Sequence, residues 1–393
     1  MKHITLLIWF MVLGISEAFL QPGKISCLKT TSLKQQAALR VVSTPVRNSQ
    51  TSMNFSPLDI SFGSSMLNSV DAWSVQSLDA NDLASTLFGA SLFPYLVFLF
   101  FIGKEEVDTP KLANFGFKFL LFFVFATIPA GIAAKVVYND ILANVDWLHG
   151  LSESMLTLTN LFIAIGFRQA MKSENEPEEA ESNIKLKSPF VASAISLALV
   201  GLPSLILSAN PEPANALSIP TWIIHVSSLI EWLASMALVW QYAEFTGNPK
   251  WKGLTWGMLP LHASGLCACT FHIFYNRPAY YSLVALQAAL TCFGNSTLAL
   301  AGWRIFNSTK EESEIVVAAK KGFVPESFES DSVFFTKLLL LSTVGAFAVK
   351  YGEVFFNFPF EDDNLWIALL MIFGPTALNI AKWNSRSGQS ESA

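Results

Sequence analysis

The sequence predicts an all-α fold: a polytopic membrane helical bundle of about nine transmembrane helices, arranged as two related three-helix units plus a C-terminal helical hairpin. Three observations carry this expectation. Of the 393 residues, 52% are hydrophobic and only 14% charged, against about 25% charge in ordinary soluble domains. Apolar runs long enough to cross a ~30 Å hydrocarbon core recur along the chain. The gaps between them alternate between basic and nearly base-free, the asymmetry that sets membrane orientation. The same composition excludes other classes. Thirty acidic against 25 basic residues give a net charge of −5, and no Lys/Arg run is dense enough to neutralise phosphates, so nucleic acid is not an expected partner. Four cysteines in a chain of this length are too few for a disulfide scaffold.

The N-terminus reads as a two-part address. Residues 1–18 combine Lys2, an apolar stretch from Ile4 to Ile15 and the small-residue site Ser16-Glu17-Ala18, the layout of a cleavable signal peptide. Residues 19–58 contain no Asp or Glu, while Lys24, Lys29, Lys34, Arg40 and Arg47 sit among ten Ser and Thr, which is transit-peptide composition. A signal peptide followed by such a stretch resembles the bipartite presequences of algae with complex plastids.

The spans are expected near 85–103, 113–138, 151–168, 189–208, 219–243, 254–275, 280–303, 333–350 and 365–382. Lys104 and Lys111 follow the first, Arg168 and Lys172 the third, Lys250 and Lys252 the fifth, Arg304 and Lys310 the seventh, and Lys382 and Arg386 close the chain. The intervening gaps hold little beyond Arg277 and Lys350. Short basic loops stay on the side of synthesis or import, so the odd-numbered gaps face the stroma or cytosol and the N-terminus faces the lumen. This organisation gives a first three-helix membrane domain over 85–172, an acidic linker over 173–188 and a connecting helix over 189–208. A second three-helix domain over 217–307, a linker over 308–331 and the hairpin over 332–383 complete it.

The two three-helix domains share a skeleton. Tyr138-Asn139 ends the second helix of one as Tyr275-Asn276 ends that of the other, and Asn160 and Gly166-Phe167-Arg168 parallel Asn295 and Gly302-Trp303-Arg304. With one further span between them, both units start on the same side, the arrangement of a parallel duplication.

Ionisable groups at membrane depth cost roughly 2.5–3.5 kcal/mol on insertion scales, so each needs a partner and marks a candidate site. Glu231 lies ~18 Å from the lumenal start of its span, and His262 on the next, antiparallel span lies ~20 Å from the same face, at 1.5 Å per residue. The matched depth makes a Glu231–His262 hydrogen bond the simplest way to satisfy both. His225 and His272 lie nearer that face, at ~9 Å and ~5 Å by the same rise, and can approach one another. In the first domain, His149 and Glu153 share one helix face at a spacing of i, i+4. These six residues are the candidate cofactor-binding set. Two His from facing helices suit a b-type haem, and a single His suits a chlorophyll magnesium. Hydrogen bonding across packed helices explains the same residues without a cofactor, and Asn160 and Asn295 read most simply as interhelical contacts. Cys267 and Cys269 point to opposite faces of one helix and make a poor chelator. The chain shows no phosphate loop, nucleophile elbow or zinc-protease signature, hence neither a catalytic residue nor a metal ligand is assigned.

The motifs Leu217-Ser218-Ile219-Pro220-Thr221-Trp222, Thr246-Gly247-Asn248-Pro249, Cys267-Ala268-Cys269-Thr270 and Gly294-Asn295 are similar to those of the hypothetical chloroplast open reading frame forty-nine family. The stretch 85–172, with Leu92-Phe93-Pro94-Tyr95, Thr127-Ile128-Pro129-Ala130-Gly131 and Asn144-Val145-Asp146-Trp147-Leu148-His149-Gly150, resembles a second family of membrane domains from cyanobacteria and plastids. Both are domains of unknown function, so the resemblance supplies no catalytic residues. It implies a multi-pass protein of a plastid membrane, the thylakoid in the first instance, associated with photosynthesis.

Three functions follow as expectations. The first is an accessory protein that assists assembly, stability or regulation of a photosynthetic complex, which favours a non-enzyme. The second is a haem-, chlorophyll- or quinone-binding redox enzyme, and the third a proton-coupled carrier using Glu231 and His262.

Overall fold

The structure, a computed structural model, describes residues 80–172, 215–311, 330–356 and 365–391. The signal peptide, the transit-peptide-like segment, the acidic linker and the connecting helix at 189–208 all lie outside the described residues. The described residues are helical, with no strand among them. Eight long helices follow in order: α1 Ala80–Ile102, α2 Lys111–Tyr138, α3 Asp146–Lys172, α4 Ile219–Thr246, α5 Lys250–Ile273, α6 Tyr281–Glu311, α7 Asp331–Phe356 and α8 Leu365–Glu391.

Seven of them are long and apolar enough to cross a membrane. The exception is α5, which has the length at 24 residues but carries Lys250, Lys252, His262 and His272. Several helices run past their expected ends: α8 continues from the apolar stretch to Glu391 and α3 starts at Asp146. Hydropathy marks only the lipid-matched part of a helix, and polar terminal turns extend it at no desolvation cost.

Local chemistry sets the helix ends near the site. Ser218 caps α4, its hydroxyl accepting from the Thr221 N–H, with Pro220 in the first turn where its missing donor costs nothing. Gly247 closes α4 at φ 72°, a left-handed position that glycine adopts without strain. Asn139 ends α2 at φ 52°, and Tyr275 and Asn276 end α5 at φ 55° and 54°.

α4 is the hub of the bundle, burying residues along its whole length from Ile219 to Ala243. α2 is peripheral and exposes Phe122, Phe125, Ile128, Ile132 and Val136. Between α2 and α3 the backbones come close: a Cβ added at Gly166 would lie 2.2 Å from the Ala113 nitrogen. Small residues at such crossings give the van der Waals contact that holds membrane helices together.

α1 packs chiefly along α6, α3 packs on both α2 and α4, and α5 on α6. α7 docks on α4 and α8 on α5, so the two C-terminal helices pack mainly on the second domain. α3 and α4 run in the same direction. The Ser218 N–H donates to Asp146 Oδ1 at their N-terminal ends (2.8 Å), Thr157 Oγ1 donates to Ile224 O (3.4 Å), and Asn160 Nδ2 donates to Ser228 O (3.1 Å). At the opposite end of the bundle Asp331, starting α7, accepts from Arg168 and Lys172 at 2.8 Å each. α7 therefore runs against α3, and at its far end Lys350 Nζ donates to Leu217 O (2.6 Å).

Candidate functional site

Because α3 and α4 both begin at one end of the bundle and α5 finishes there, their terminal turns face one another. His149 comes from the first turn of α3, His225 from the second turn of α4 and His272 from the last turn of α5. The three imidazoles converge. His149 Nε2 lies 2.9 Å from His225 Nε2 and 3.2 Å from His272 Nε2, and the ligand-capable ring nitrogens all fall within 4.8 Å of one another. All three residues are buried, at 7%, 5% and 6% exposure. Trp222 walls the cluster, its ring edge-on to His272 at 6.4 Å and to His225 at 6.3 Å. Gly150, next to His149, admits Thr221 so closely that a Cβ there would sit 2.6 Å from the threonine hydroxyl.

A chain of amides orients His272. Asp140 Oδ1 accepts from Asn144 Nδ2 (2.7 Å), and Asn276 Nδ2 donates to Asn144 Oδ1 (2.9 Å) and to Ala143 O (3.0 Å). With its NH2 so engaged, Asn276 presents Oδ1 to His272 Nδ1 at 2.8 Å. The oxygen only accepts, so the His272 proton resides on Nδ1 and a lone pair remains on Nε2, aimed into the cluster.

The sequence reading brings His225 and His272 together and sets His149 apart with Glu153; in the structure His149 joins the other two. Glu153 lies one turn further along α3, half-buried, and forms no hydrogen bond with the cluster. Glu231 and His262 lie in the interior at 3% and 1% exposure. The hydrogen bond expected between them is not formed: Glu231 Oε2 and His262 Nδ1 have no hydrogen-bond partner. Asn160 and Asn295 each donate to a carbonyl of a neighbouring helix, Ser228 O at 3.1 Å and Ser91 O at 3.0 Å. Cys267, Cys269 and Cys292 are free thiols.

The cluster does not fit a haem between His225 and His272. A bis-histidine haem keeps its two axial imidazoles on opposite faces of a macrocycle, whereas these rings lie 4.7 Å apart centroid to centroid with His149 wedged against both, which leaves no room for the macrocycle between them. Three convergent imidazole nitrogens instead match the donor set of a compact transition-metal ion.

Residues 84–172 match one family, described as Protein of unknown function (DUF3593), and residues 216–304 match another, Protein of unknown function (DUF2499). The chain is 50% identical over 99 residues to the Ycf49-like protein of Synechocystis sp., a stretch that covers 25% of this chain and 95% of that relative. The chain belongs to the Ycf49 family. A second relative, the uncharacterized protein ycf49 of Cyanophora paradoxa, is 40% identical over 84 residues, covering 21% of this chain and 82% of its own. No solved structure matches. In this member, the Ycf49-type module is joined to a second membrane module, and the histidine cluster takes one residue from the first match and two from the second. The sources of the relatives and the seven apolar helices mark a membrane protein of the plastid and cyanobacterial kind.

Proposed function

We propose that this chain is a multi-pass protein of a plastid membrane, the thylakoid, that assists assembly, stability or regulation of a photosynthetic complex. The observation that carries this reading is a family match spanning almost the whole of a cyanobacterial relative, in a bundle whose outer helices present broad apolar faces. Phe122, Phe125 and Ile128 on α2 and Trp366 and Leu370 on α8 are exposed, as helices that meet lipid or other transmembrane helices require. The same reading holds nine crossings, one of them expected at 189–208. It also holds a duplicated three-helix unit. The reciprocal hydrogen bonds of Asn160 and Asn295, and the left-handed Asn139 and Asn276 at matching helix ends, support the duplication. Detergent-solubilised plastid membranes run on native gels test the role: the protein is expected to co-migrate with a photosystem, cytochrome or ATP-synthase complex. Migration only as a free small species overturns it.

A second reading, a proton-coupled carrier, rests on Glu231 and His262, whose unpartnered polar atoms lie deep inside the bundle. Buried ionisable groups in membrane helices commonly mark proton routes. If a Glu231→Gln variant restores growth of a null strain as well as wild type does, the relay is ruled out.

A further inference from the structure

We propose that His149, His225 and His272 form a binding site for one divalent first-row transition-metal ion, held by three imidazole Nε2 atoms with a fourth position open. Zinc and copper are the ions this donor set suits best. Imidazole nitrogens that bind such an ion tetrahedrally at about 2.0–2.1 Å lie about 3.3 Å from one another. The two separations from His149 Nε2, 2.9 and 3.2 Å, are within a few tenths of an ångström of that spacing.

Hydrogen bonding alone does not satisfy the cluster. A neutral imidazole carries one N–H, and that of His272 is committed to Asn276 Oδ1. His149 Nε2 faces both other Nε2 atoms, yet a single N–H there points well at only one of them. If it carries none, two lone pairs confront each other across 3.2 Å at His272. A cation accepts all three lone pairs at once and removes the conflict.

The surroundings are those of a ligand set. The Asp140–Asn144–Asn276 chain that fixes the His272 ring and its tautomer is the outer-shell device by which metal-ligating histidines are oriented. His272 also lines a small cleft, shared with Leu217, Trp222, Tyr275 and Lys350. The ligands come from three helices and from both family matches, so the ion would tie the two modules together at the end where α3 and α4 begin.

The site is tested on the full chain, purified in mild detergent, stripped with a chelator and titrated with Co²⁺ and separately with Cu²⁺. The expected result is one tightly bound ion per chain, with a visible ligand-field band for Co²⁺ and nitrogen hyperfine structure in the Cu²⁺ electron spin resonance spectrum. His149→Ala, His225→Ala and His272→Ala should each abolish stoichiometric binding, and His262→Ala should leave it intact. Asn276→Ala, which keeps all three ligands, should weaken binding about 10–100-fold. Wild-type protein that binds neither ion at one equivalent overturns the proposal. So does stoichiometric binding that persists unchanged in the His149→Ala/His225→Ala double variant. Neither outcome bears on the accessory role, which rests on different observations.

Discussion

Two groups of buried polar side chains share helices α4 and α5 and are handled in opposite ways. At the end of the bundle, His225 and His272 meet His149 within a continuous network that runs out to Asp140. Six residues further along α4, about 9 Å by helical rise, Glu231 Oε2 has no hydrogen-bond partner, and neither has His262 Nδ1 on α5. The difference follows from where backbone is available. Helix termini and the Leu142–Asn144 turn expose carbonyls and amide side chains that can close a network. In mid-helix every backbone N–H is already used within its own helix, so the Glu231 carboxyl oxygen must find its donor on another side chain.

Substitutions at either group should expose this difference. The largest expected effect is at Asn276, where Asn276→Leu would strand the Asn144 and Ala143 oxygens and the His272 N–H together. At about 1–3 kcal/mol for each buried unsatisfied group, we expect a loss of at least about 3 kcal/mol, measured as a lowered unfolding midpoint in detergent. Glu231→Gln should behave in the opposite sense. It retains the shape and removes a buried carboxylate that lacks a full set of partners, so it should be neutral or raise stability by about 1 kcal/mol, or about 2 °C in Tm. A drop of that size instead would reveal a partner for Glu231 and erase the contrast. The smallest effects are expected from the interhelical amides. Asn160→Ala and Asn295→Ala should each cost about 0.6 kcal/mol, the average for such contacts in a membrane bundle. Near-equal losses would sharpen the case for two equivalent positions in a repeat.

What was legible in the sequence divides along the same line. Hydropathy located seven of the eight described helices, since lipid leaves an unbroken apolar signature. α5 was expected at 254–275 as an apolar run like the rest, although its polar residues keep it below the apolarity of the others. Helical rise placed His225 and His272 at similar depth, and the structure joins them. His149 was missed as their partner because no sequence pattern links residues 76 and 123 positions apart. The signal was present: His149 stands at the start of a span that begins on the same side, hence at the same height. Glu231 and His262 show the converse limit. Rise along the helix gave them matched depth, but rotation of each helix about its axis, to which close contacts such as Gly265 on Leu229 contribute, decides which side chains meet. The packing of α1 on α6 and of α8 on α5 was likewise invisible, because lipid-facing and helix-facing surfaces are equally apolar.

The two family modules form one bundle, with α3 and α4 parallel and joined at the histidine end. A Cβ at Gly150 would lie 3.5 Å from the Cβ of Thr221, the separation found across a disulfide, about 3.5–4.5 Å. The Gly150→Cys/Thr221→Cys variant, carrying a protease site within 173–188, should therefore oxidise to a bond that keeps the two cleaved fragments together on a non-reducing gel and releases them on reduction. Fragments that separate without reductant after oxidation would contradict the account.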